Sequence, residues 1–180
     1  MAWNNSVLEL YHGCTDEAAR KIQGSNRYKN NINLKLGRDR VDFGRGFYTT
    51  TRHDQAENWA NCQYARNRKN SKVQKAAVLI FRIDREKLAS LINLGFVVEG
   101  DPQNSDFWDL VNHCRSAKRK THERTTGSTG GFYDVVSGPV ALPFQKLVVK
   151  DCDQYSFHTR DGVDALGHPD IETPKNGTFF

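Results

Sequence analysis

The stretch Asp42–Thr50, DFGRGFYTT, sets three aromatic rings and two glycines around one arginine and then runs into threonines. Gly44 and Gly46 allow backbone conformations and close approaches that a Cβ forbids, while Phe47, Tyr48 and Thr49 suit the pleated, half-buried surface of a strand. The pattern predicts a tight loop entering a strand, with a ring delivered beside a space kept clear for a ligand. Working downstream, Asp54-Gln55-Ala56-Glu57 has the form of a capping box. It predicts a helix whose inward face is Ala56, Trp59, Ala60 and Tyr64. AAVLIFRI (76–83) then reads as a buried strand. Upstream, VLELYH (7–12) alternates apolar and polar residues and predicts a first strand ending near His12. Thr15 can cap a helix through about Gln23, with Asp16 and Glu17 favourable in its first turn. Residues 24–40 are polar, Asn-rich and aperiodic, a long surface loop of the kind that often binds ligands.

Beyond the strand, Leu88, Leu91 and Ile92 predict a helix, and GFVVE (95–99) a short strand. Asn104 or Ser105 can cap a helix carrying Phe107, Trp108 and Val111. TTGSTGG (125–131) reads as a flexible break, followed by three strands in FYDVVSGPVA, KLVVK and QYSFH. DGVDALG (161–167) reads as a helical turn, and the polar residues 168–180 as a loose tail. Trp59 and Trp108, at helical spacing with other apolar residues, are expected in the core. Asp134 is expected to anchor a turn, Phe43 and Phe47 to pack beneath the loop, and His53 to help start the helix. The elements lack the βαβ rhythm of a doubly wound sheet, so an α+β fold is expected. The 180 residues suit a single domain, with its core over about 7–167.

Composition limits the function. Hydrophobic residues make up 37% and no apolar run approaches a membrane span. MAWNNSVLEL has neither a basic n-region nor an apolar h-region, which points to a cytoplasmic or nuclear protein, although a trimmed secreted chain reads the same. The sequons at Asn4 and Asn176 matter only in the secreted case. Cys14, Cys62, Cys114 and Cys152 are dispersed without a C-x-x-C pair, which favours scattered thiols over disulfides and signals no metal site. The net charge is +5, and two runs concentrate it: YARNRKNSKVQK carries five positive charges and no acid, RSAKRKTHER five against one. Such runs are either solvated surface or a face for anions such as nucleic acid, nucleotide phosphate or an acidic protein.

Three pieces together resemble a known group. LYHGC resembles the L-x-H-G strand of the ADP-ribosyltransferases of the diphtheria-toxin and poly-ADP-ribose-polymerase lineage. GRGFYTT, followed by QAENWA, is similar to that lineage's G-x-G-x-Y strand and following helix. The order YHG, DFGRGFYTT, QAENWA, the Trp108 helix, YDVVSGPVA and QYSFHT resembles the DUF3990 type of family, usually grouped with that superfamily, over roughly residues 8–167.

The resemblance implies an ADP-ribosyltransferase-like split antiparallel β-core with flanking helices, binding NAD+ as substrate. His12 would hydrogen-bond the adenosine ribose, since one imidazole nitrogen can donate while the other accepts. Gly13 would bring the backbone to the nicotinamide amide, and Tyr48 would stack on the nicotinamide ring. Thr49 or Thr50, but not both, would add a hydroxyl. Gly46 would keep the loop close, and Arg45 would meet the pyrophosphate or face solvent. The third motif holds Gln154 where many relatives have glutamate, with Asp153 as the alternative carboxylate. Glutamine can bond a ribose hydroxyl but cannot act as a general base. The expected chemistry is cleavage of the nicotinamide glycosidic bond, with ADP-ribose passing to a macromolecular acceptor, protein or nucleic acid. Water as acceptor, or a non-catalytic NAD+ or ADP-ribose binding module, are the alternatives. No metal is required, and oligomeric state is not legible.

Overall fold

In a computed structural model of the chain, residues 7–97, 105–116, 122, 131–142 and 147–174 are described. Within them the fold is α+β: seven strands, mostly antiparallel, and five helices. The chain forms two compact units, one from residues 1–32, 49–90 and 163–180, the other from 33–48 and 91–162.

The first unit is built on β1 (Leu8–Thr15) and β3 (Ala76–Ile83), antiparallel along eight consecutive pairs from Leu8↔Ile83 to Thr15↔Ala76. This full ladder carries β1 past His12, where the sequence predicts an end, to Thr15. Thr15 caps α1 (Asp16–Gln23) by accepting from Ala18 N, and Gly24 closes it at φ 65°. Asp16, only 4% exposed, accepts from Gln74 N and Lys75 N and pairs with Arg20. Burial opposes its charge, but the two backbone N–H groups and Arg20 prevail and hold its carboxyl below the ordinary range.

Strand β2 (Phe47–Thr50) meets β1 at Tyr11↔Thr50 and leads into α2 (His53–Asn67). The capping box is not formed. Thr50 Oγ1 accepts from Arg52 N, which turns the chain early, and Asp54 pairs with Arg52 instead of capping. α2 lies on β1 so closely that a Cβ on Gly13 would stand 2.0 Å from Ala56 O. Ala56 and Ala60 are buried at that contact, with Tyr64 packed against them. An indole cannot enter so tight an approach, and Trp59 is turned outward at 43% exposure, against the expectation of a core residue. α3 (Arg85–Ala89), capped by Asp84, follows β3 and stops before Leu91 and Ile92. Residues 168–174 are not a loose tail: β7 (Asp170–Glu172) pairs with β3.

The second unit orders its strands β4 (Asn93–Gly95), β5 (Val135–Leu142) and β6 (Leu147–Phe157). β4 runs parallel to β5, and lies earlier than the expected strand at 95–99. KLVVK and QYSFH form one strand, not two, continuing through Asp151 at φ 50°. α4 (Ser105–Ser116) buries Phe107, Trp108 and Val111 against Phe43, Val136 and Ala141, as expected. α5 (Arg160–Ala165) follows β6. Asp134 anchors a turn, accepting from Ile92 N at 2.8 Å and from the Thr159 hydroxyl. Asn104, residues 125–130 of the TTGSTGG break, the two sequons and most of the RSAKRKTHER run lie outside the described residues.

Candidate functional site

The glycine loop is fixed by its own tyrosine. The Tyr48 hydroxyl donates to Gly44 O at 2.7 Å and accepts from Phe43 N at 2.9 Å. Burial first, opposed in part by Phe43 N–H, pushes its pKa well above the ordinary value, so the group stays a neutral donor and acceptor. Gly44 stands at φ 81°, a conformation that favours glycine. Phe43 is fully buried and Phe47 8% exposed, beneath the loop as expected.

Gly46 has a different role. A Cβ there would lie 2.8 Å from His158 Cε1, Nδ1 and Phe157 O. Its hydrogen side is therefore filled by His158, which the sequence reading left unassigned. His158 Nδ1 lies 2.9 Å from Arg45 O, and Nε2 2.8 Å from Ser156 Oγ. Burial, reinforced by neighbouring His122, lowers the His158 pKa to about 3. The neutral ring then donates through Nδ1 to Arg45 O and accepts at Nε2. Ser156, histidine and carbonyl mimic a nucleophile, base and orienting group. Ser156 is 0% exposed, however, so no substrate atom can reach it and the trio is a brace.

His122 completes the brace. Its Nδ1 lies 3.1 Å from Phe43 O and its Nε2 accepts from Tyr133 N, with its ring edge-on to His158 at 4.2 Å. Burial lowers its pKa, against the two backbone hydrogen bonds. Every carbonyl from Phe43 to Arg45 thus accepts from a side chain.

Arg45 projects from this braced loop. Its Nη2 pairs with Asp39 at 2.8 Å, while its Nε is buried and has no hydrogen-bond partner among the described residues. Buried donors are almost always satisfied, so this N–H is unusual, but the atom itself has no accessible surface, and an oxygen from outside the chain reaches the guanidinium only at its exposed part.

Gln154 lies within the same unit but inward, 8% exposed. Its Nε2 donates to Asp42 at 2.6 Å and to Pro139 O at 3.1 Å. The β5–β6 ladder shifts register between Pro139 and Ala141. Gln154 caps the carbonyl freed on one side of that shift, and Asp42 accepts Ala141 N on the other. Asp42, 3% exposed, also pairs with Arg115. Asp153 alternates to the exposed face of β6.

In the other unit, His12 and Gly13 lie on β1, paired with Leu79 and Val78. His12 is half-buried, and the space a Gly13 side chain would take is filled by α2. Thr49 is buried at 3% exposure. Cys14 and Cys114 are pushed by burial to about 12 and about 11, and all four cysteines are free.

His53, Glu57 and Glu172 offer ligand atoms within 4.8 Å of one another and could hold a metal among the described residues. His53 Nε2 lies 3.2 Å from Glu172 and Nδ1 3.6 Å from Glu57. The histidine is therefore more than a helix start. The His53–Glu57 spacing was visible in the sequence; Glu172, brought in by β7, was not.

With this geometry established, comparison with known proteins adds one finding. Residues 8–143 match the model of DUF3990, a family described as proteins of unknown function. The chain belongs to the DUF3990 family. The match runs from β1 to the Pro139–Ala141 shift, so it takes in the braced loop and α4 of this DUF3990 protein. No curated protein matches the chain.

Proposed function

We propose that this DUF3990 protein is a mono-ADP-ribosyltransferase with an ADP-ribosyltransferase-like core, using NAD+ as substrate and a protein or nucleic acid as acceptor. The observation that carries the reading is Arg45: a partly exposed guanidinium, paired through Nη2 with Asp39, on a loop whose Phe43, Gly44 and Arg45 carbonyls all accept from side chains. Such a donor suits a diphosphate oxygen, and a braced loop binds without a large ordering cost. Tyr48 as a nicotinamide platform rests on the resemblance alone, because its ring stacks on Phe43 and meets His158 edge-on. His12 and Gly13 enter through the resemblance of their motif.

The reaction breaks the C1′–N bond of NAD+. Nicotinamide leaves with the bonding electrons, the acceptor bonds C1′, and the acceptor's proton passes to solvent. Charge builds at an oxocarbenium-like centre, which positioning and nearby polar groups stabilise. Gln154 favours a second reading, a non-catalytic NAD+ or ADP-ribose module, because its amide donors are already engaged by Asp42 and Pro139. NAD+ labelled in its adenylate portion decides between them. Nicotinamide release with label retained on a macromolecule, both lost in Arg45→Met, supports the transferase. Release without retained label means that water is the acceptor. NAD+ binding without release means a silent module, and no binding removes the whole reading.

A further inference from the structure

Several cations of the first unit stand in ion pairs. Arg20 meets Asp16, Lys21 meets Glu17, Arg52 meets Asp54, and Arg82 meets both Glu9 and Asp170. The end of α2 and the turn after it gather cations with no acid among them. Arg66, Arg68, Lys69, Lys72 and Lys75 are all exposed, and none has a carboxylate partner among the described residues. Within 64–75 no acid occurs at all.

The backbone of the turn that carries the lysines is held in place. Asn70 N bonds Asn67 O, Val73 N bonds Asn70 O, and the Asn70 side chain accepts from Lys72 N. Val73, 7% exposed, plugs the turn into the unit, and Asp16 takes the next two backbone N–H groups. A helix C-terminus favours cations through its dipole, which accounts for Arg66 and Arg68 but not for three lysines beyond the helix.

An aromatic ring lies on the Arg66 side of the helix. Trp59 is 43% exposed and precedes Arg66 by seven residues, two turns, so that the Arg66 guanidinium lies 5.7 Å from the indole centroid. Between the cations stand Asn67, Asn70, Ser71 and Gln74, neutral groups that can bond phosphate, sugar or base edges.

We propose that the patch of Trp59 with Arg66 and the turn lysines Lys69, Lys72 and Lys75 binds single-stranded nucleic acid. The cations follow the phosphates and a base stacks on the indole, displacing or sandwiching the guanidinium. A duplex cannot offer that base, and an acidic peptide gains nothing from the exposed ring. This binding goes beyond the reading of the glycine loop and requires no NAD+.

The test is fluorescence anisotropy of labelled single-stranded RNA and DNA 12-mers, without NAD+, across a salt series. Four phosphate contacts predict a slope of log K on log salt of roughly −2.8, at about −0.7 per contact. Lys69→Gln/Lys72→Gln, at two exposed positions, should lower the slope by about 1.4 units. Trp59→Ala should weaken binding roughly 5- to 100-fold while leaving the slope nearly unchanged. Circular dichroism confirms that each variant is folded, and the lysine variant decides the matter if Trp59→Ala is not. The proposal is overturned if the 12-mers do not bind, if both variants bind like the parent, or if an unlabelled duplex or poly-glutamate competes as well as the single strand. Loss of oligonucleotide binding with NAD+ binding intact would remove this proposal and leave the loop reading standing.

Discussion

In the unit built on β1 and β3 the core is mostly apolar, its buried polar side chains (Thr15, Asp16, Asn30, Thr49 and Thr50) are separate caps and turn anchors, and the ion pairs other than Asp16–Arg20 lie at the surface. In the unit built on β5 and β6, Asp42, Gln154, Ser156, His122 and His158 form internal hydrogen bonds beneath the glycine loop. The first arrangement gains stability from close contact. The second uses buried polar groups, which are costly if any member is missing, to hold one loop in one shape. That contrast marks Asp42–Tyr48 as the segment whose geometry matters for more than stability.

Substitutions should separate the two arrangements. Gly13→Ala forces a methyl against the backbone of α2 and should cost the most, about 3–5 kcal/mol in urea unfolding. A loss under 1 kcal/mol would mean that α2 can lift from β1. Asp42→Asn leaves Arg115 without its counter-charge and replaces an acceptor of three hydrogen bonds. About 2–3 kcal/mol should be lost by the same measurement.

The histidine brace should also be visible in pH dependence. His158 titrates at about 3 when folded and near 6.5 when unfolded. Above the unfolded value both states are neutral and stability is full. As pH falls below about 6.5 the unfolded chain takes up the proton first, and stability declines by at most ~1.4 kcal/mol per unit until about pH 3. His122, lowered by burial, adds to the same slope. His158→Gln should flatten the decline between pH 6 and 4, and an unchanged slope would show that the ring is not buried neutral.

Tyr48→Phe removes only the hydroxyl clamp. It should cost about 1–2 kcal/mol and accelerate amide exchange at Phe43. The smallest effect belongs to the surface of the first unit. Arg82→Met breaks pairs with Glu9 and Asp170 that water screens, and should leave the unfolding midpoint unchanged within error.

Much of this was legible because local chemistry and tertiary structure agree. Thr15 caps α1, AAVLIFRI is β3, and Phe107, Trp108 and Val111 are buried together, as their spacing implies. The loop was recognisable as special from its glycines, but the reason for Gly46 was not, because His158 lies 112 positions away in sequence and announces itself only through the alternation of QYSFH. Trp59 misled because a three-residue step on a helix looks inward until the neighbour is a glycine in close contact. Residues 168–174 read as a tail because Asp-Ile-Glu has little β-propensity; its pairing comes from β3. Gln154 was singled out because it stands where many relatives have glutamate. Its partners, a carboxylate and a carbonyl freed by a proline-linked register shift, could not be read from spacing.

Short β7 has a further consequence for behaviour in concentrated solution. An unprotected strand edge is a template on which a second molecule can add its own strand. Here the border of β3 is closed by three residues, and two of them carry carboxylates engaged with Arg82 and His53. A chain approaching this border would have to break those pairs and bury charge to gain only a few backbone hydrogen bonds. The same three residues that complete the fold therefore discourage it from propagating into fibrils.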